Sequence, residues 1–463
     1  MASSLFSGER VVVALFTFRI IYSTSPSLLY ESVSLSLLFL FSLFVEISLE
    51  SSPSHSSLLN TRPGASSGVL LGAVSLPGVM FSRLLLNSRA LLVNEIGPEG
   101  EALLVTSGLV IYFGDMFACT LVKIYGYLVS SEFNSIHSGI ERSEISTIIQ
   151  GVLLGLLLFP FFFKYVILIW QQITNSAYTE AREDHQRGKA ALFYASLACI
   201  LILIVPSWMQ LVHDFPAHPL LWIFDFVFSE PLKRLSLCIY WVSVIYASVL
   251  RFYNISKSSK IERILLRKYY HLMAVLMFVP ALILQPKFLN LAFGAALAAF
   301  LVLEIIRVWR IWPLGHLVHQ FLNAFTDHRD SDLLIVSHFS LLLGCALPIW
   351  MSSGFNDRPL APFAGILSLG IGDTMASMVG HKYGVLRWSK TGKKTIEGTA
   401  AGITSVLAAC SILLPILATT GYIFTQHWFS LLLAVTLSGL LEAYTAQLDN
   451  AFIPLVFYSL LCI

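Results

Sequence analysis

The chain has 463 residues, of which 56% are hydrophobic and only 12% charged, and its mean hydropathy is +0.76. Soluble globular chains carry roughly 25% charged residues, so water is excluded as the main solvent. A net charge of +2, without any basic tract interleaved with aromatics, argues against nucleic acid as a partner.

A membrane helix needs about 20 mostly apolar residues, and stretches of that kind recur from end to end, roughly thirteen to fifteen of them by length. Backbone groups in lipid must be satisfied within the segment. With no alternating ten-residue strand pattern, the spans are helices and the fold class is all-α, a polytopic integral membrane protein. At the start, Arg10 precedes an apolar run that Arg19 interrupts, with no clear small-residue cleavage site. This reads as a first membrane segment and not as a removed signal peptide.

Residues 1–250 form a multi-span region whose breaks, 51–68, 130–146 and 174–189, are Ser-rich or weakly charged. The cluster Glu180, Arg182, Glu183, Asp184, His185 and Arg187 reads as a solvated loop. Six isolated cysteines, with no CxxC or Cys/His ligand spacing, predict neither a zinc site nor a disulfide framework.

Residues 251–463 differ in kind. Three polar loops stand out, at 251–268, 307–332 and 381–394. The first holds Arg251, Lys257, Lys260, Arg263, Arg267 and Lys268, which marks it as cytoplasmic. Two apolar runs, 271–286 and 288–306, separate the first loop from the second. Two more, 333–351 and 361–380, separate the second from the third. A last pair, 398–422 and 428–445, delivers Gln447, Leu448, Asp449 and Asn450. Even numbers of spans return the chain to one face, so all of these clusters are expected on a single cytoplasmic surface. Between Trp309 and His328, apolar residues at helical spacing predict a helix lying at the membrane interface.

The strongest polar element runs from Gly370 to Gly384. Gly372, Ala376, Gly380 and Gly384 recur every four residues, a stripe that lets a helix or a ligand approach the backbone closely. Asp373 sits beside it inside a membrane helix. A carboxylate there costs roughly 2.5 to 3.5 kcal/mol and faces a partner, water or an ion. Downstream, Lys393 and Lys394 precede Thr395, which is placed to cap the next helix, followed by Glu397 and Gly398. Lysines at a helix N-terminus, with free N–H groups and partial positive charge, form a site for nucleotide phosphates. Further on, Glu442, Thr445 and Asp449 share one helix face.

Phosphoryl transfer needs cations for the phosphates, carboxylates for a divalent metal, and a group to take the proton of the attacking hydroxyl. The C-terminal part offers each. It has no GxxxxGK[ST] loop and no HRD or DFG set, so another nucleotide cradle is implied.

Asp373-x-x-Ala376-x-x-x-Gly380, then Gly384, then Lys393-Lys394-Thr395-x-Glu397-Gly398 resembles the signature of the dolichol kinase family. In looser form it is similar to other CTP-using membrane enzymes such as phosphatidate cytidylyltransferase. Further matches are Arg267-Lys268-x-x-His271, the Asp327-x-Arg329-Asp330 run before the helix that ends Leu347-Pro348-Ile349-Trp350, and the segment from Glu442 to Pro454. The resemblance covers about residues 265–455. It implies transfer of the γ-phosphate of CTP to dolichol, with Mg2+ or a similar divalent cation, at the endoplasmic reticulum membrane, supplying dolichyl phosphate for glycosylation. The roles expected from it are CTP binding by Lys393, Lys394, Thr395, Gly398, Gly380, Gly384, Arg267, Lys268 and His271, and metal binding by Asp373 and Asp449. Glu397 or Glu442 would orient these groups, and either Asp449 or Asp373 would act as general base. Asp327, Arg329 and Asp330 divide between ligands and a solvated loop. The rival readings are a CTP-dependent enzyme acting on phytol, diacylglycerol or phosphatidate, and a transporter, which would place paired internal repeats and broken helices in both halves.

Overall fold

A computed structural model of the chain describes residues 8–22, 143–174, 182–258, 263–323, 336–352, 358–388, 394–419, 428–444 and 449–462, with short helical stretches between 36 and 43 and between 112 and 124. The helices are α1 (Gly8–Tyr22), α2 (Glu144–Thr174), α3 (Arg182–Cys199), α4 (Val205–Val212), α5 (Pro219–Ser229), α6 (Pro231–Ser258) and α7 (Arg263–Leu284). They continue with α8 (Pro286–Trp309), α9 (Gly315–Asn323), α10 (Val336–Met351), α11 (Thr374–Tyr383), α12 (Ile396–Thr419), α13 (Trp428–Tyr444) and α14 (Asp449–Cys462). Two π-helical stretches interrupt the regular pattern. Ile200–Ile204 joins α3 to α4, and Ile366–Asp373 leads into α11.

Among the described residues the one β feature is an isolated bridge between Arg387 and Thr395, so the chain is all-α as expected. Five helical segments among the described residues are long and apolar enough to cross a membrane, and five further apolar helices there are shorter. Large apolar side chains face outward on them, as with Leu232 at 82% and Phe161 at 69% exposure. That pattern suits lipid as the solvent, and the chain is a polytopic membrane protein. The expected thirteen to fifteen spans include residues outside those described.

Helix starts follow the local chemistry. Pro219, Pro231 and Pro286 open α5, α6 and α8, where a missing N–H costs nothing and the fixed φ suits the first turn. The expected loop at 174–189 is corrected in part, because α3 begins at Arg182 and takes the charged cluster into its first turns. No Gly or Pro breaks that run before Gly188, and acidic residues near a helix N-terminus complement its dipole.

The chain packs as two compact units, each discontinuous in sequence. One comprises residues 1–111, 237–284 and 343–463, the other residues 112–236 and 285–342. In the second unit, α8 lies close against α2, where a Cβ on Gly294 would stand 2.7 Å from Ile149 Cγ1. Phe159, Phe163, Phe193 and Trp309 stack into one aromatic cluster, with Phe159 and Phe193 edge to face at 5.2 Å. Glu304 and Arg307, both buried on α8, form a two-point ion pair at 2.6 and 2.8 Å.

In the first unit, the kink residue of α7 is matched by its neighbour. Pro280 has no N–H for the Leu276 carbonyl four residues back. The Tyr240 hydroxyl donates to that carbonyl at 2.6 Å, and the Trp241 indole N–H donates to the next one, Met277 O, at 2.9 Å. An orphaned acceptor in lipid is costly, so this pairing of α6 with α7 stabilises both the bend and the contact.

Candidate active site

Asp373 closes the π-helical stretch and opens α11, and it is 6% exposed. Two side chains of α7 reach it. Lys268 Nζ pairs with Asp373 Oδ2, and His271 Nδ1 lies 3.0 Å from the same oxygen, so the imidazole donates from Nδ1. Residues 268 and 271 are one turn apart and therefore share a face of α7. The Thr374 hydroxyl adds a bond to the Lys268 carbonyl at 3.2 Å. The approach depends on Gly370. A Cβ there would lie 2.2 Å from Val275 Cγ2 and 3.2 Å from the His271 carbonyl oxygen, so a larger residue would push α7 off the π-helical stretch. A π-helix is rare and is often kept where it aims a functional group.

The small-residue stripe is spent on a second close approach, between α11 and α12. A Cβ on Gly398 would lie 2.6 Å from the Ala376 carbonyl oxygen and 3.1 Å from Gly380 Cα. Gly380 and Gly384 face Thr395, whose Oγ1 would be 2.8 and 2.7 Å from a Cβ at either position. Small residues let backbones meet, and in lipid that contact replaces the hydrophobic drive available in water.

The loop between these helices is tied at its base. Ile396 N–H donates to the Leu386 carbonyl at 2.8 Å, and Trp388 N–H to the Lys394 carbonyl at 3.2 Å. Thr395 Oγ1 accepts from the Gly398 N–H at 3.2 Å, the N-cap of α12. Glu397 accepts the Leu386 N–H at 3.0 and 3.2 Å on its two oxygens. The Trp388 indole donates to Thr399 Oγ1 at 2.9 Å. Residues 389–393, the tip of this loop, lie outside the described residues. Lys394 Nζ donates to the Glu442 carbonyl and so pins the loop to the end of α13.

A narrow cavity of about 20 Å3, room for about one water, is lined by Ser368, Gly372, Thr399, Gly402, Ser438 and Glu442 among others. Its walls come from the π-helical stretch, α12, α13 and α14. The three polar elements of the C-terminal sequence therefore meet in one unit, joined to α7 through Asp373.

A family model for dolichol kinase matches residues 91–349, more than half of the 463 residues. The dolichol kinase EVAN of Arabidopsis thaliana is 54% identical over 565 aligned positions, covering 100% of this chain and 99% of the relative. The chain belongs to the dolichol kinase family. The human dolichol kinase is 31% identical over 78% of this chain and 64% of its own length. The dolichol kinase sec59 of Schizosaccharomyces pombe is 32% identical over 58% and 55%. No solved structure matches the chain. The Arabidopsis alignment carries the dolichol kinase relationship through the segment that holds Asp373, beyond the residues matched by the family model.

In this dolichol kinase family member, the expected site residues divide into three groups. Asp373, Lys268 and His271 stand together, and Lys394, Thr395, Glu397, Gly398 and Glu442 lie along the tied loop and the helix ends beside it. Gly380, Gly384 and Gly398 hold α11 against α12. Lys393, Asp327, Arg329 and Asp330 lie outside the described residues, and only the backbone of Arg267 and Asp449 is described, in α7 and α14. Residues that the sequence reading passed over are Gly370, Thr374, Trp388 and Thr399. Gly370 stood in the quoted Gly-Ile-Gly run, but nothing local said that α7 would need its space.

Proposed function

We propose that the chain transfers the γ-phosphate of CTP to the hydroxyl of dolichol, with residues 251–463 carrying the chemistry on the cytoplasmic face of the endoplasmic reticulum membrane. The observation that carries this reading is the buried Asp373 carboxylate held between Lys268 and His271, in the same unit as the basic loop that opens α12. The names of the relatives support dolichol as acceptor, and the motif resemblance supports CTP as donor.

In this scheme the loop between α11 and α12 carries Lys393 to the phosphates, while Lys394, bonded to the Glu442 carbonyl, and Glu397, bonded to the Leu386 N–H, fix its base. The helix dipole of α12 adds partial positive charge at the same end. Arg267, Lys268 and His271 complete the cationic side. Among the described residues no three His, Cys, Asp or Glu side chains converge. That fits Mg2+, which is held by one or two carboxylates plus substrate phosphates and not by an all-protein cage. Asp373 would be the first of these carboxylates, because both of its cationic partners use Oδ2, and Asp449, matched by the motif resemblance, would be the second. A divalent cation held by these residues would supply charge neutralisation for the transferring phosphates. The dolichol oxygen forms the new bond to the γ-phosphorus as the bond to the β-phosphate oxygen breaks, giving dolichyl phosphate and CDP. The transition state is loose, so positioning and charge outweigh base strength, and either Asp449 or Asp373 would take the hydroxyl proton.

Incubating the purified protein with dolichol and CTP labelled at either the α- or the γ-phosphorus tests the reaction class. Label entering lipid from γ-CTP alone is the expected result. Label entering from α-CTP would mean cytidylyl transfer and would overturn the proposal.

A further inference from the structure

The second unit contains a cavity unrelated to Asp373. It measures about 280 Å3 and is lined by Pro160, Lys164, Ile167 and Leu168 of α2, Lys189 of α3 and Trp309 at the end of α8. Lys164 and Lys189 both line it, and among the described residues no carboxylate does. Among the described residues neither Lys164 nor Lys189 forms an ion pair. Two cations facing one cavity repel each other, and the arrangement is satisfied by an anion between them. The rest of the wall is apolar, and the adjoining surface of α2 presents Phe161, Tyr165 and Ile169 outward. Trp309 belongs to the aromatic cluster, and Arg187 lies 5.7 Å over the ring of Trp312 at the same end of the unit. Tryptophan and basic residues together mark a membrane interface, and basic pockets between membrane helices take lipid phosphate headgroups.

We infer that this cavity binds a phosphate monoester, with Lys164 and Lys189 sharing the phosphate and the Ile167–Leu168 wall receiving the chain of a lipid that carries it. The inference does not depend on the kinase reading, since none of these residues has a part in it.

The test is retention of phosphatidic acid by the full chain purified in detergent, read by native mass spectrometry against phosphatidylcholine, with inorganic phosphate as competitor. Wild type should retain phosphatidic acid in preference to phosphatidylcholine. Lys164→Gln with Lys189→Gln should bind about twenty-five-fold more weakly, at about a factor of five per lysine. Lys164→Arg with Lys189→Arg should retain the lipid, which separates loss of charge from loss of fold. Resistance to inorganic phosphate identifies a lipid-borne phosphate as the ligand, and displacement by it identifies free phosphate; both support the site. Equal retention by the Gln pair and wild type, or no preference over phosphatidylcholine, would overturn it.

Discussion

At the scale of single residues, the account rests on Asp373 and the two α7 side chains that share its Oδ2. Removing one member of a buried ion pair leaves the other charged and unpaired, at a cost of about 3 kcal/mol or more. Lys268→Ala should therefore lower thermal stability clearly, leaving the buried carboxylate with His271 alone, and adding Asp373→Asn should restore much of it, because the under-compensated charge is gone. Activity should stay lost in both. Thermal melting of the two variants checks this, and a double variant as unstable as Lys268→Ala would mean that the pair is not coupled. Asp373 was legible as a carboxylate that must face a partner, from its place in an apolar run, and the structure gives it Lys268 and His271. Its partners were legible only as cations near a membrane boundary, since Lys268 is 105 residues away and nothing in the spacing ties the two together. For Lys394 the charge was legible, and its bond to a backbone carbonyl of α13, 48 residues away, was not.

At the scale of elements, the glycines and prolines set how closely helices meet. A Cβ on Gly398 would press on the Ala376 carbonyl oxygen at 2.6 Å, and backbone cannot give way cheaply, whereas one on Gly372 would meet a Val406 methyl at 3.1 Å, which can turn aside. Gly398→Ala is expected to lose about fivefold or more in transfer rate, on about 1–3 kcal/mol of overpacking, with Gly372→Ala within about twofold of wild type. Equal effects in a rate assay would remove the close α11–α12 contact from the account. A second test concerns α7. Tyr240→Phe should cost about 1 kcal/mol in wild type and close to nothing in a Pro280→Ala background, where a restored N–H takes the Leu276 carbonyl. Melting of the four proteins reads this directly.

The apolar runs anticipated these elements well. The runs 288–306, 398–422 and 428–445 became α8, α12 and α13 within a few residues. The π-helical stretch before Asp373 was not legible, because Ile366 to Gly372 is almost uniformly apolar or small and uniform residues carry no period. The polar cluster at 182–187 was read as loop because charge between two spans normally means solvent. Its helix continues straight into the membrane segment that ends at Val212.

At the scale of the whole molecule, composition alone excluded a soluble fold, and the structure and the relatives agree with that exclusion. The division into two units was beyond the sequence. Packing returns residues 237–284 to the unit of the C-terminal segments and sends 285–342 to the other, and such pairings depend on contacts far apart in the chain. What the sequence did carry was the grouping of three motifs in one unit, since Gly372 and Glu442 line one cavity, Lys394 is bonded to the Glu442 carbonyl, and α7 joins them through Asp373.

The central claim is that this carboxylate serves phosphoryl transfer. The most direct measurement is the rate at which Asp373→Asn, reconstituted in lipid vesicles with dolichol, moves label from γ-labelled CTP into lipid, compared with wild type at equal amounts of inserted protein. The account predicts a fall of at least about 100-fold, the scale expected when one charged group that stabilises the transition state is lost. A variant that transfers label at the wild-type rate would contradict it.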